Sequence, residues 1–139
     1  MLCVLDTNVL VAAVRSPAGA SAEILRRVLT GSVQALCSVP LFLEYQAVLS
    51  RPEYVRAAGV VLADVENFLD VLAGAVRRVE IAYLWRPQLR DAADDMVLEV
   101  AANGQASALV TLNHRDFLPQ SLGFGIAVIS PAQFFQGAK

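Results

Sequence analysis

Four carboxylates recur along the chain, each beside a hydrophobic segment. Asp6 ends the apolar run that begins at Leu2, and the other three are Glu44, Asp95 and Asp116. A strand that ends in Asp delivers an oxygen ligand to the rim of a sheet, where α/β proteins build their sites. Hard oxygen ligands suit Mg²⁺ or Mn²⁺, so this layout predicts a divalent-metal site at one edge of a folded domain.

Other routes to phosphate chemistry lack their residues. The only lysine is Lys139, and the other basic residues are all arginines. A P-loop requires an internal lysine, and aspartyl-phosphate chemistry usually uses one to neutralise the phosphoryl oxygens. The single histidine, His114, leaves no pair for zinc and would have to serve any Ser-His-Asp triad alone. These absences favour metal-dependent chemistry.

Length and composition predict one globular domain spanning residues 1–139. Of the 139 residues, 56% are hydrophobic and 17% are charged, which excludes a disordered chain. The net charge of −2 gives no global basic footprint for nucleic acid, so any phosphate contacts must be local.

No apolar run approaches the roughly 20 residues that cross a bilayer, and we expect a cytoplasmic protein. Cys3 and Cys37 lie in apolar segments and are expected to be buried thiols.

Hydrophobic periodicity predicts strands that alternate with helices. The expected strands are Leu2 to Leu5, 35–39, 79–82, 108–112 and 126–129. The first expected helix begins at Val9, and the second follows Ser21, its expected N-cap. Further helices are expected over about 41–50, 60–76 and 92–103, and a last helical turn after Pro131. Arg51 and Pro52 are expected to end the third helix, and Gly104 to follow the 92–103 helix as its C-terminal glycine. This alternation predicts a parallel sheet covered on both faces, but it does not determine the strand order.

Three aspartates at the start of the 92–103 helix need separate interpretation. Unpaired amides and the helix dipole favour carboxylates there, so capping accounts for Asp91 and can account for Asp94. Asp95 lies further round and shares a helical face with Glu99. We therefore expect Asp95 to be the better ligand, with Glu99 either supporting a ligand or facing solvent.

Four segments together resemble the PIN-domain ribonucleases, in order and over nearly the whole chain. They are Leu5-Asp6-Thr7-Asn8, residues 40–45 around Glu44, residues 90–95, and residues 110–117. Within that family the chain looks most like the short, single-domain toxins of toxin–antitoxin pairs, including the VapC-type group. One departure is that Asn113 stands two residues after Thr111, where the family often has an aspartate, which leaves Asp116 to supply the charge.

The resemblance implies a three-layer α/β/α fold with a mainly parallel sheet and Mg²⁺- or Mn²⁺-dependent cleavage of RNA. It assigns four residues to metal binding and catalysis: Asp6, Glu44, Asp95 and Asp116. Supporting roles fall to Asn113, which would orient a ligand, and to Thr7 or Thr111, which would bond a carboxylate or phosphate. Asp94 competes with Asp95 for the third place. The resemblance also implies an RNA substrate, a small antitoxin partner and a homodimer, for which apolar surface on the first helices is the expected contact.

Two other functions stay open at this point. A PIN-like scaffold could bind RNA or a protein without cutting, although the four retained acids disfavour it. A metal-dependent phosphatase or DNA nuclease would use much the same carboxylates. Arg90 and Arg115 adjoin the acidic segments and are the first choices for contacts with phosphate.

Overall fold

The computed structural model describes residues 2–82, 92–118 and 124–137. The strands are β1 (Leu2–Leu5), β2 (Gln34–Cys37), β3 (Arg77–Arg78), β4 (Ala108–Val110) and β5 (Ala127–Ile129). The helices are α1 (Thr7–Arg15), α2 (Ala20–Leu29), α3 (Val39–Leu49), α4 (Pro52–Ala58), α5 (Leu62–Ala75), α6 (Ala92–Asn103) and α7 (Pro131–Gly137). A short 3₁₀ helix covers His114–Asp116. None of these helices is long and apolar enough to cross a membrane.

The strands form one sheet in the order β3-β2-β1-β4-β5. Every described pairing is parallel, and Cys3 of β1 lies opposite Ala35 on one side and Ala108 on the other. From β1 the chain moves outward to β2 and β3, and then returns to the other side of β1 as β4. The direction of winding therefore reverses between β1 and β4, which is where open α/β sheets place their sites.

Helices cover both faces of this sheet and give the predicted three-layer α/β/α architecture. The α6 helix packs on β1, β2 and β4, while α1 packs against α2 and α3, and α2 contacts α7. The central strands are buried except for the first residues of β1 and β2, and Val4 and Leu109 are fully inaccessible. Such continuous apolar strands are typical of a parallel sheet that has no solvent-facing side.

The third helix starts directly at the carboxyl end of β2. Ser38 caps it, because its Oγ accepts a hydrogen bond from the backbone N–H of Leu41 at 3.2 Å. Pro40 stands in the first turn, where no N–H is needed. Leu41, Tyr45 and Val48 recur on one buried face, so α3 presents its inner side to the core. The helix that carries Glu44 therefore begins at the carboxyl end of β2, directly after that strand.

The helix end predicted at Arg51 and Pro52 is confirmed, because α3 ends at Leu49, but the short helix that follows was not predicted. Pro52 occupies the first position of α4, where its fixed φ suits a helix start. The helix ends at Gly59, whose φ of +70° is the left-handed conformation that favours glycine. A proline after a helix therefore marks both an end and a new beginning here.

Two predictions are corrected by the structure. The third strand is Arg77–Arg78 instead of 79–82, because these arginines pair with Leu36 and Cys37 of β2. Ser21 is buried inside α2, and Gly19 occupies the N-cap position that was expected of the serine. The local pattern of hydrophobic residues predicts neither the observed strand nor the observed N-cap.

The end of α6 shows a different role for Gly104 from the one predicted. The left-handed residue is Gln105, with φ of +54°, and not the glycine. A Cβ on Gly104 would lie 2.7 Å from Leu36 Cδ1 and 2.9 Å from the carbonyl oxygen of Val100. Glycine is therefore needed so that the end of α6 can approach β2 closely.

We expect Gly104→Ala to lower the free energy of unfolding by about 1 to 3 kcal/mol, the usual cost of overpacking a core. The matched control is Gly74→Ala in α5, where an added Cβ meets no atom within 4 Å. Alanine there should raise the free energy of unfolding by up to about 1 kcal/mol through its helix propensity. Urea denaturation measures both; equal effects of the two substitutions would contradict the packing role of Gly104.

Both cysteines are free thiols inside the sheet, as the sequence predicts. Burial raises the pKa of Cys3 from 9.0 to about 11 and that of Cys37 from 9.0 to about 12. In the unfolded chain both thiols ionise near 9.0, whereas in the native protein they stay protonated to higher pH. The thiols therefore add stability that is complete below pH 9.0 and is lost as the pH rises through the native values.

We expect both thiols to resist a disulfide-exchange reagent such as DTNB at pH 8 in the native protein, because the thiolate is the reacting form. In urea both should react at the rate of an unstructured cysteine. The absorbance of the released thiolate follows the reaction. Stoichiometric labelling of the native protein within the mixing time would contradict the burial of both residues.

Candidate functional site

Asp6 is the first residue after β1 and lies at the winding reversal of the sheet. Its side chain is 7% exposed. Its backbone N–H donates to the carbonyl oxygen of Val110 at 2.9 Å, and its own carbonyl accepts from the N–H of Val9 at 3.0 Å. The residue is thus held by β4 and by the first turn of α1, as the pattern of a strand ending in Asp predicted.

Thr111 fixes the direction of the Asp6 carboxylate. It is the first residue after β4 and is fully buried, and its Oγ1 donates to Asp6 Oδ2 at 2.7 Å. The same oxygen accepts from the backbone N–H of Asn113 at 3.0 Å and from Asn8 Nδ2 at 3.4 Å. A hydroxyl has one proton and two lone pairs, and all three are used here. Thr111 therefore links the acid, the loop after β4 and the start of α1.

Asn8 completes this connection from the other side. Its Oδ1 accepts from the N–H of Leu112 at 3.3 Å, so the amide bridges α1 to the loop after β4. Of the residues predicted to support the site, Thr111 bonds Asp6 directly, and the backbone N–H of Asn113 donates to Thr111. The Asn113 side chain is exposed, and Thr7 lies half-buried at the first position of α1.

The first turns of α6 bring two buried acids against the sheet. Asp95 is 4% exposed and Glu99, one turn later, is 3% exposed. Asp94 is half-buried, so burial distinguishes it from Asp95. The expectation that Glu99 might face solvent is wrong, because α6 packs on the sheet and also against α3. Arg90 and Asp91 lie outside the described residues.

Glu44 is half-buried on α3, and the residue after it makes the stronger contact with the site. Tyr45 is 2% exposed, and its hydroxyl donates to the carbonyl oxygen of Leu5, the residue before Asp6. Burial raises the pKa of the Tyr45 phenol well above its ordinary value, and the neighbouring Cys37, Asp6 and Cys3 raise it further. The phenol therefore stays protonated and keeps its donor.

Tyr45 is not among the residues predicted for the site, although the sequence contains a signal for it. Leu41, Tyr45, Val48 and Leu49 share one helical face, which places the tyrosine in the core. A buried hydroxyl needs a hydrogen-bond partner, so such a tyrosine should have been examined for a polar contact.

Asp116 differs from Asp6, Asp95 and Glu99 in its exposure to solvent. It ends the 3₁₀ helix and is exposed, as is Arg115 before it. Residues 112–116 line an open depression next to Thr111. His114 Nε2 lies 3.0 Å from Gln133 Oε1, which ties this loop to α7.

The donor set fits a hard divalent cation in its chemistry, because Asp6 and Asp95 are buried carboxylates near the carboxyl edge of the sheet. Within residues 2–82, 92–118 and 124–137, no group of three or more His, Cys, Asp or Glu side chains forms a set that could hold a metal ion. Carboxylates repel one another when no cation neutralises them. The four-acid centre therefore stays a prediction, in which Thr111 orients Asp6.

Thr111→Val should lower the free energy of unfolding by about 1 to 3 kcal/mol. The substitution removes the hydroxyl that bonds the Asp6 carboxylate and the backbone N–H of Asn113. Thr111→Ser retains the hydroxyl and should lose less. Urea denaturation at neutral pH measures the difference. A valine variant as stable as the serine variant would show that the bond to Asp6 contributes little.

Comparison with known proteins agrees with this architecture. The family model described as PIN domain matches residues 3–115. A chain in the crystal structure of VapBC2 from Rickettsia felis bound to a DNA fragment from their promoter has a TM-score of 0.64 and 16% identity, over 94% of this chain and 98% of that chain. No curated protein matches the sequence. At 16% identity the structural likeness shows the fold alone, whereas the family model covers most of the sequence. The chain belongs to the PIN domain family.

Proposed function

We propose that this protein is a Mg²⁺- or Mn²⁺-dependent endoribonuclease and the toxin of a toxin–antitoxin pair. The observation that carries the proposal is the buried Asp6 carboxylate, oriented by Thr111 Oγ1 at 2.7 Å at the winding reversal of the sheet. An acid held in a fixed direction at that edge is suited to ligate a cation. Membership of the PIN domain family, which is a nuclease family, supports the same reaction class.

The proposed metal ligands and catalytic residues are Asp6, Glu44, Asp95 and Asp116. A bound Mg²⁺ or Mn²⁺ would supply charge neutralisation and an activated water for attack on a phosphodiester. Thr111 holds one Asp6 oxygen and leaves the carboxylate plane fixed. Asp95 is supported as the third ligand by its burial, with Asp94 half-buried beside it.

An RNA substrate would lie along the depression next to Thr111. Arg115 is exposed there and carries a guanidinium that can bond a phosphate. Asn113 lies in the same loop, with its backbone tied to Thr111 at 3.0 Å. The basic group and the acidic edge are therefore adjacent, as a site that binds a phosphate and activates a water requires.

The proposed partners are a small antitoxin and a second copy of the chain. The likeness to a chain of the VapBC2 complex supports the antitoxin, and exposed apolar surface supports protein contact in general. That surface is not on the first helices, where Leu29 alone of the large apolar side chains is exposed among the described residues. It lies mainly on α3 and α5, where Val39, Leu43, Leu62 and Val71 are exposed.

Asp6→Asn should reduce RNA cleavage by at least about 100-fold, because even residues that only support a metal ligand are worth about 10- to 100-fold. Labelled RNA and DNA panels are incubated with Mg²⁺, Mn²⁺ or a chelator. We expect the wild type to cut RNA with either ion, to leave DNA intact and to lose activity in the chelator. In the same panel Asp95→Asn should cost more than Asp94→Asn.

The matched control is Asp70→Asn, an exposed aspartate on α5 that should retain full activity. Equal activity of Asp6→Asn and the wild type would overturn the metal mechanism. RNA binding without cleavage by the wild type would favour a scaffold, and cleavage of DNA alone would favour a DNA nuclease.

A further inference from the structure

Tyr45 joins the helix that carries Glu44 to the strand that ends in Asp6. Its side chain is 2% exposed, and its hydroxyl donates to the carbonyl oxygen of Leu5. These residues are 40 positions apart in the sequence, so the bond is a tertiary connection between α3 and β1. Its ring also packs edge-on against Phe42, with ring centroids 6.3 Å apart.

The bond acts on the peptide group that precedes Asp6. The carbonyl of Leu5 and the N–H of Asp6 are the two ends of one planar unit. The N–H donates to Val110 of β4 at 2.9 Å, and the carbonyl accepts from Tyr45 of α3. This peptide plane is therefore held from opposite sides, and its orientation determines the direction in which the Asp6 side chain leaves the backbone.

The same bond also fixes α3 at a second point. The chain enters α3 directly from β2, with Ser38 as the N-cap, and Tyr45 attaches the middle of the helix to the end of β1. Glu44 is adjacent to Tyr45, about 100° away around the helix. Sliding or rotation of α3 relative to β1 would break the Tyr45 bond. The position of Glu44 relative to the end of β1 therefore depends on this bond.

The hydroxyl itself requires an explanation, because phenylalanine would fill the same volume without burying a polar group. Burial of a hydroxyl is unfavourable unless it is hydrogen-bonded, and the net gain of such a bond is small. Stability alone is thus a weak reason for a tyrosine here. Alignment of two acids on different elements is a stronger one.

We infer that Tyr45 is a positioning residue that sets the placement of Glu44 relative to Asp6 through its hydrogen bond to the Leu5 carbonyl. The inference rests on the proposed function, because it assigns Tyr45 a part in building that site. Tyr45 acts through its two neighbours and touches neither metal nor substrate.

The test compares Tyr45→Phe with Tyr54→Phe. Tyr54 lies half-buried on α4, and the Arg15 guanidinium carbon lies 5.4 Å from the centroid of its ring. Tyr54→Phe is the matched control, because it also removes one tyrosine hydroxyl. For each protein we measure the Mn²⁺ dissociation constant from the EPR signal of the unbound ion, kcat and KM for an RNA that the wild type cuts, and the urea midpoint. The urea midpoint verifies that each variant is folded in the assay.

Tyr45→Phe should bind Mn²⁺ about tenfold more weakly, the change expected for one lost hydrogen bond. Its kcat should fall while KM for RNA stays at the wild-type value, because RNA contacts are not altered. Tyr54→Phe should match the wild type in the Mn²⁺ dissociation constant and in kcat. A merely structural hydroxyl would lower the urea midpoint and leave the Mn²⁺ dissociation constant and kcat unchanged, which would overturn the inference.

A double-mutant cycle with Glu44→Gln provides a second measurement. If Tyr45 acts through Glu44, Tyr45→Phe should weaken Mn²⁺ binding much less in the Glu44→Gln background than in the wild type. Additive effects of the two substitutions would contradict that connection. A wild type that binds no Mn²⁺ and cuts no RNA would overturn the proposed function and this inference with it, whereas an active wild type unaffected by Tyr45→Phe would overturn the inference alone.

Discussion

The peptide group between Leu5 and Asp6 is the point at which the elements around the site meet. Its N–H bonds β4 and its carbonyl bonds α3, while the Asp6 carboxylate bonds the threonine that follows β4. The N–H continues the pairing of β1 with β4, whereas the carbonyl bonds a helix. The geometry of the site therefore depends on the central strand more than on any loop.

Burial of acids in an apolar core opposes stability and has to be offset by polar contacts. Asp6, Asp95 and Glu99 are each less than 10% exposed, and the strands beneath them are almost entirely hydrophobic. Carboxylates in such surroundings are rare unless they are bonded or bind a cation. The fully buried Thr111 hydroxyl supplies one of those contacts, which explains why a polar side chain ends β4 in the core.

The fold was largely predictable where the local pattern is strong. The first strand and the helix at Ala92–Asn103 have the predicted bounds, and alternating strands and helices indicated the parallel sheet. The main error in a strand lies where its position depends on pairing with another strand. Arg77 and Arg78 carry no hydrophobic signal and form a strand because β2 offers them partners. The end of α3 before Pro52 was predicted, whereas the short helix that begins at Pro52 was not.

The sequence by itself determined the chemical types of the candidate site: an aspartate at the end of the first strand, further acids on predicted helices, and a threonine within a later predicted strand. Only the tertiary structure decided which of these are brought to one edge. It buried Asp95 and Glu99, left Asp116 exposed and connected Tyr45 to Leu5. The physical reason is that periodicity reports which side of one element faces the core, whereas proximity between elements follows from strand order, which arises from packing over the whole chain.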